Sequence, residues 1–418
     1  MTRRQRVILL VGILGMVLVV LPAAGCWQAA CFNHRLNSIV KPYRFGILRW
    51  ELGQVLDLAE APRDGAGSEV GRRDETESVL EYFSLADEIG ALARDQGATG
   101  SGQDALAGRE EGLERLQERK KALRGAVERV MGRQIGESLS EQGIFNPADR
   151  YMSLEIRFPP VSLRLGQPPN LLVVSPRDRI ESVRKVMLVQ DVSLAAVEDI
   201  EARVDALGVS ALVVELGGFG GTYPAFVADT GSLRFTVEAA TEEWLHQYLA
   251  FTPLGFLYLL DVIGVYRSYD LVTMNETLAG MVSEEIADTM LEAYYPRYAS
   301  EKKGEESSQA ESDFCREMRG IRTAVDQFLA NGEVERAEEY MEERRQYLAA
   351  KGHHIRKLNQ AYFAFHGAYA DEPTSVSPIG AEMREARRRS ASLAEFLTTV
   401  ASMTSHQDLV DSLKADPP

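Results

Sequence analysis

Strand-forming sequence is confined to one part of this 418-residue chain, and this limits the folds open to it. Apolar and polar residues alternate in Leu154–Leu165, which also holds a Pro-Pro pair, and short runs rich in β-branched residues and bounded by Pro, Asp or Gly occur at Asn170–Val174, Lys185–Val189 and Val209–Leu216. A further strand is predicted at Thr222–Val227, where Pro224 restricts it to an edge or irregular position, because proline donates no ladder hydrogen bond. One helix, Leu194–Leu207, lies among these strands. The pattern predicts an α+β fold with a small mixed sheet.

Apolar residues at helical spacing dominate the rest of the chain. Before the strands they predict a short helix at Tyr43–Glu60, and longer helices at Glu75–Gln96 and Arg109–Leu139 that pack as a hairpin. After the strands, the predicted helices are Phe235–Ala250, Tyr269–Ala293, Glu311–Leu348, His354–Tyr369 and Pro378–Ser402. We therefore divide the chain into a signal or anchor (1–25), a helical region (26–150), a sheet-containing core (151–299) and a C-terminal helical region (300–418).

The first 25 residues contain a run of 19 residues without charged side chains, Val7–Gly25, which follows three arginines. This length is near the lower limit for a membrane-spanning helix and also fits the apolar part of a secretory signal. The small residues before Cys26 resemble the box that precedes the lipidated cysteine of bacterial lipoproteins. A lipoprotein signal, an uncleaved anchor helix and a simple cleaved signal all remain open. The first two predict attachment to the cell membrane with the bulk of the chain extracytoplasmic.

Composition removes two classes of protein from consideration. With 62 acidic and 46 basic side chains the formal charge is −16, which argues against nucleic acid as a partner. Three cysteines cannot form a disulfide framework, and no Cys/His zinc spacing is present. If Cys26 carries lipid, Cys31 and Cys315 remain, either as a pair or as two free thiols.

One predicted helix carries most of the chemical information, because Glu242, Glu243 and His246 lie on it. Side chains three and four residues apart lie close together on a helix, so these three can point towards one site. Thirty residues beyond His246, Asn275 and Glu276 lie in the next long helix. Large apolar residues around His246 indicate a largely buried helix, in which Glu and His without a partner would be costly. The pattern therefore favours a bound cation.

These residues resemble the motifs of the gluzincin metallopeptidases, which combine His-Glu-x-x-His on one helix with Asn-Glu-x-x-Ala or a relative of it on a later helix. The resemblance covers roughly Gly217–Ile286. It implies that His246 matches the second histidine ligand, Glu276 the glutamate ligand and Glu243 the general base. Glu242 stands where the family has its first histidine.

The chemistry of such a site requires these residue types. Catalytic zinc takes three protein ligands and keeps a fourth position for water, whose pKa it lowers to about 7, and an adjacent carboxylate accepts the proton. We expect zinc first of all. Because a carboxylate at Glu242 adds negative charge to the ligand set, manganese or iron is also open.

A late predicted helix presents rings on one face, since Tyr362, His366 and Tyr369 follow one another at helical spacing. In gluzincins, a tyrosine or histidine from a distant element stabilises the oxyanion, and we name Tyr362 and His366 as catalytic candidates on this ground. Core packing of the same rings is the alternative.

Taken together, the sequence predicts a membrane-tethered, exported metallopeptidase-like protein that hydrolyses a peptide or protein with metal-activated water and Glu243 as base. In this interpretation Thr222–Val227 is an edge strand to which an extended peptide adds main-chain hydrogen bonds. The alternative is a catalytically inactive scaffold of the same type that acts as a binding or assembly protein of the cell envelope. Replacement of Glu242 by histidine distinguishes the two, because activity gained by this change would identify the native chain as the inactive scaffold.

Overall fold

The computed structural model describes residues 31–46, 69–94, 103–148, 155–262, 265–298, 309–369 and 374–414. The predicted signal or anchor and Cys26 lie outside these ranges, as does most of the predicted helix Tyr43–Glu60. At its start, a 3₁₀ turn at Lys41–Tyr43 is followed by extended backbone rather than by an α-helix. Among the described residues, no helix combines the length and apolar character needed to cross a bilayer.

The described chain is mostly helical, with strands only in its middle. A helix at residues 31–40 comes first. Two long helices, α1 (Glu69–Arg94) and α2 (Gln103–Glu141), precede the strands. The middle elements are β1 (Leu163–Gly166), β2 (Asn170–Pro176), β3 (Arg184–Leu188), α3 (Leu194–Asp205), β4 (Val209–Glu215), β5 (Gly218–Phe219) and β6 (Ala225–Ala228). The later helices are α4 (Leu233–Leu249), α5 (Pro253–Val262), α6 (Tyr269–Tyr294), α7 (Gln309–Ala330), α8 (Val334–Ala350), α9 (Gln360–His366), α10 (Ile379–Arg389), α11 (Leu393–Ala401) and α12 (His406–Lys414).

The α+β class is confirmed, with the strands divided between two three-stranded sheets. In the first, β2 lies between β3 and β4 and is antiparallel to both. In the second, β6 lies between β1, to which it is parallel, and β5, to which it is antiparallel. Strand β6 is therefore not an edge strand, and Pro224 takes the other predicted option, an irregular position. It directly precedes the first residue of β6, so the ladder of this strand does not need the N–H that proline lacks.

Some predicted helices are shorter than the sequence pattern indicates. The segment Glu311–Leu348 is two helices, because the chain turns at Gly332, whose φ of +76° is a left-handed conformation that favours glycine. Helix α9 begins later than predicted, at Gln360, where the side chain of Asn359 accepts a hydrogen bond from the Tyr362 N–H. Helix α5 was not predicted, since it lacks an apolar–polar periodicity.

The largest core is built around α6, most of whose side chains are buried. Helix α4 packs along it, and the predicted hairpin of α1 and α2 is confirmed and closes the same core. The first sheet is covered on one face by α3 and the helix at residues 31–40, and on the other by α9. Cys31 and Cys315 are both free thiols. Two buried helices, α4 and α6, thus hold the predicted site residues.

Candidate metal centre

Helix α4 is held in place at its first turn and along the face that points away from the predicted site. The Ser232 side chain accepts a hydrogen bond from the Phe235 N–H and caps the first turn. On the face turned away from the predicted site, Trp244 is buried and donates its indole N–H to the carbonyl oxygen of Pro159, at 2.7 Å. Because this side of the helix is anchored, its other side points Glu242, Glu243 and His246 towards α6.

The three predicted metal ligands come together. One ligand atom from each of Glu242, His246 and Glu276 can be chosen so that all lie within 4.8 Å of one another. The closest approach with a printed distance is between His246 Nε2 and Glu276 Oε2, at 3.4 Å. Glu276 is buried, while Glu242 and His246 are half-buried. These three residues could hold a metal ion.

Asn275 controls which nitrogen of His246 faces the site. His246 Nδ1 lies 3.1 Å from Asn275 Oδ1. Because an amide oxygen only accepts, Nδ1 must carry the hydrogen of this bond, which leaves Nε2 towards Glu276 as the nitrogen able to bind a metal. Such a contact behind a histidine ligand is the usual means of fixing its tautomer and ring orientation.

Tyr258 on α5 completes the surroundings of the triad and was missed at the sequence level. Its hydroxyl donates to Glu276 Oε1 at 2.9 Å, and its ring stacks on the His246 imidazole, with centroids 5.8 Å apart and planes at 13°. Tyr258 therefore orients two of the three ligands. No sequence signal marked it, because α5 shows no helical periodicity and reaches the site through tertiary packing alone.

One buried oxygen of the triad supports the fit of a cation. Glu276 Oε2 has no hydrogen-bond partner of normal geometry, and its contact with His246 Nε2 is long, at 3.4 Å. A buried carboxylate oxygen without a close partner is costly, and a metal ion would satisfy it. Two carboxylates and one imidazole, all oxygen and nitrogen donors, form a ligand set suited to a divalent cation.

The charges of the site are strongly coupled. Burial opposes the charged form of His246, yet Glu276 and the neighbouring carboxylates outweigh it and raise the pKa of His246. Burial likewise opposes ionisation of Glu276, but His246 lowers the pKa of Glu276 below its ordinary value. Burial raises the pKa of Glu242 to about 8, and the charge of Glu243 adds to this effect. Without a metal, the triad therefore balances its charge with protons.

Glu243 lies beside the triad under a glycine-rich loop. Burial raises the pKa of Glu243 to about 7, although His246 acts in the opposite direction. The Gly220 N–H donates to this carboxylate. A Cβ atom added at Gly218 would lie 2.4 Å from Glu243 Oε1, and one added at Gly220 would lie 2.6 Å from the main-chain oxygen of Glu243. The close approach requires glycine at both positions.

The loop is also tied to α4 one turn beyond Glu243. The Gln247 amide donates to the carbonyl oxygens of Gly220 and Thr222, at 3.2 and 2.9 Å. Strand β5 thus lies at the edge of its sheet directly above the proposed base.

Of the three rings predicted to share one helix face, Tyr369 lies three residues beyond the end of α9 and has the clearest electrostatic link to the site. Burial raises the pKa of the Tyr369 hydroxyl well above its ordinary value, and the charges of Glu276 and Glu242 raise it further. The rings of Tyr362 and His366 contact each other, with centroids 4.3 Å apart and planes tilted by 41°, and burial lowers the pKa of His366 to about 4. Tyr362 also packs against two apolar clusters.

No family model matches the chain, and neither does any curated protein or solved structure. Its function must therefore be argued from its own residues.

Proposed function

We propose that this chain is a membrane-tethered, exported metallopeptidase of the gluzincin type, with Glu242, His246 and Glu276 as metal ligands and Glu243 as general base. One observation carries the proposal: ligand atoms from two buried helices converge within 4.8 Å, and a third carboxylate, that of Glu243 with its raised pKa, lies beside them. Strongly perturbed pKa values cluster at functional sites. The N-terminal apolar run, Val7–Gly25, supports the tether.

A divalent metal at this site would supply Lewis-acid activation of water and of the scissile carbonyl group. The chain's own residues perform the remaining tasks. Glu243 accepts a proton, and its pKa of about 7 suits a general base working near neutral pH. The Gly220 N–H holds the Glu243 carboxylate in position, while Tyr258 and Asn275 fix Glu276 and His246. Tyr369, whose hydroxyl interacts electrostatically with Glu276 and Glu242, joins Tyr362 and His366 as a candidate to stabilise a developing oxyanion.

The proposed substrate is a peptide in extended conformation. An edge strand presents unpaired N–H and C=O groups to which an extended chain adds as a further strand. Because β6 is interior to its sheet, this role moves from Thr222–Val227 to β5, whose Gly218 lies against Glu243. A peptide bound along β5 would pass over the base and the triad.

Zinc is the first expectation for the metal. Zinc binds imidazole and carboxylate, but two carboxylates against one imidazole shift preference towards harder ions such as manganese or iron. Metal analysis of the purified protein identifies the ion. His246→Ala should lose the metal, whereas His354→Ala, which removes an exposed histidine elsewhere in the chain, should retain it. Equal metal content in both variants would contradict the assignment of the ligands.

One observation favours a second candidate, the inactive scaffold of the envelope. The ion pair of His246 with Glu276 and the proton held by Glu242 balance the buried charges without any metal. A chain that has lost its first histidine ligand could therefore keep this fold and act only by binding.

Two substitutions distinguish the candidates. If the native chain is a peptidase, it cleaves a fluorogenic peptide and Glu243→Gln abolishes the cleavage without lowering metal content. If it is an inactive scaffold, the native chain is silent and Glu242→His creates metal-dependent cleavage. Metal content and folding are measured for every variant, so that loss of the site is not mistaken for loss of the base.

A further inference from the structure

Helix α5 leaves an unusual amount of apolar surface in contact with solvent. Of its ten residues, Leu254 and Gly255 are buried, while large apolar side chains before, on and after the helix are 41–72% exposed. We call this surface the α5 patch; it consists of Phe251, Phe256, Leu259, Val262, Val265 and Tyr266. Large exposed apolar side chains gathered on one short segment mark a contact with a protein or a membrane.

The polar side chains next to the α5 patch are engaged in local contacts. Asp261 Oδ2 accepts a hydrogen bond from the Ser268 N–H at 3.0 Å. Arg267 donates to the Val183 carbonyl oxygen and forms an ion pair with Glu181 at 3.7 Å. The single acidic residue of α5 is thus held against the loop that starts α6, and the patch itself is apolar.

The α5 patch lies near the start of the described chain. Arg267, which follows Tyr266 of the patch, contacts Val183. The next residue, Arg184, donates to Asn33 Oδ1 at 3.1 Å, in the helix at residues 31–40. Val183 and Arg184, at the start of β3, therefore connect Arg267, next to the patch, with the helix at residues 31–40.

The sequence connects this end of the molecule to a lipid surface. Asn33 is seven residues from Cys26, and seven residues of fully extended chain span at most roughly 25 Å. If Val7–Gly25 is an anchor helix or Cys26 carries lipid, as the proposed function holds, the chain leaves the membrane within this length of Asn33. The α5 patch is thus held within reach of the same membrane.

We propose that the α5 patch inserts into the interfacial layer of the bilayer that holds the N-terminal segment. Phenylalanine, leucine and tyrosine side chains favour this layer. Because Tyr258 of the same helix contacts Glu276, the metal centre then faces peptide segments close to the membrane surface. The inference rests on the membrane attachment in the proposed function and is independent of catalysis.

Tryptophan fluorescence of the full chain tests the proposal. Phe256→Trp places the probe in the patch, and Leu194→Trp is the control, because both positions are similarly exposed, at 56% and 60%. Leu194 begins α3, which follows the opposite end of β3 from Val183. Each variant is reconstituted in phosphatidylcholine–phosphatidylglycerol vesicles with and without brominated acyl chains. The signal of the three native tryptophans is subtracted with the unsubstituted chain.

We expect bromine to quench the added emission of Phe256→Trp at least about twofold and to leave that of Leu194→Trp nearly unchanged. Val262→Trp, at the other end of α5, should repeat the result and covers the case in which Phe256→Trp fails to fold. Equal quenching at patch and control positions would overturn the proposal. Blue-shifted emission without bromine quenching, together with a doubled mass, would identify a second copy of the chain as the occupant and overturn it as well.

Vesicle flotation separates this inference from the proposed function. Chains that do not float with vesicles would refute the tether, and the inference with it. Chains that float but show no quenching at position 256 would refute the patch contact alone. Metal content, measured on the same samples, reports on the metal centre independently of both outcomes.

Discussion

Metal binding to the Glu242, His246 and Glu276 triad should release protons, and their number follows from the charges in the metal-free site. A ligand atom must lose its proton before it can bind a metal. The raised pKa of His246 keeps the imidazole protonated at pH 7, and Glu242, with a pKa of about 8, also carries a proton for most of the time. Glu276, with its lowered pKa, carries none. About two protons should therefore leave on binding at pH 7.

The number of protons released on metal binding determines how the apparent affinity for the metal depends on pH. Release of two protons means that the apparent affinity rises about a hundredfold per pH unit near pH 6–7, and about tenfold per unit once Glu242 is ionised above pH 8. Glu243, with a pKa of about 7, is about half protonated at pH 7. Because a bound cation favours the ionised carboxylate, Glu243 would add up to roughly half a proton to the number released. The slope is steeper than for a site whose ligands are already deprotonated at neutral pH.

Isothermal titration calorimetry with Zn²⁺ in buffers of different ionisation enthalpy measures the proton count directly. Glu242→Gln removes one titrating ligand and should reduce the count by about one. Glu110→Gln, an exposed substitution on α2, should leave it unchanged. A count well below one for the native chain, or the same count for native chain and Glu242→Gln, would refute the assignment of protons to His246 and Glu242.

Three further outcomes follow from the contacts of the site. Tyr258→Phe keeps the ring stack but removes the hydroxyl that donates to Glu276, so metal affinity, measured by competition with a chelator, should fall about 10- to 100-fold. Gly220→Ala places a Cβ 2.6 Å from a main-chain oxygen of α4 and should lower the melting temperature, whereas Gly112→Ala, with open space around it, should not. The pKa of His246 is raised on folding, so its contribution to the stability of the metal-free chain is complete below about pH 6.5 and is lost as the pH rises. Thermal unfolding of the metal-free chain should therefore occur at a lower temperature at pH 9 than at pH 6. Bound metal should reduce this difference.

The helix that carries the candidate site could be read from the sequence because its spacing follows helix geometry. Glu242, Glu243 and His246 share one side of α4 for the reason that any residues three and four apart do. The position of Glu276 opposite them was an expectation from the family resemblance, and it depended on how α4 and α6 pack. That packing is long-range, and only the structure brings the ligand atoms within 4.8 Å.

Other parts of the site had no local signal. Tyr258 reaches Glu276 from a helix without periodicity, and its role depends entirely on where α5 lies. The glycines at 218 and 220 approach Glu243 closely only once β5 and the following loop have packed on α4.

The sequence by itself determined the α+β class, the helical hairpin before the strands and the faces of the helices, because hydrophobic periodicity and turn residues act over a few neighbouring positions. It also determined which residues have the chemistry of metal ligands. The tertiary structure decided that the strands form two sheets, that β5 rather than the strand at Thr222–Val227 is the edge beside Glu243, and that the triad stores protons. These properties arise from burial and from contacts between residues distant in the chain. In the low dielectric of the interior, each neighbouring charge has a large effect on the pKa of a titratable group.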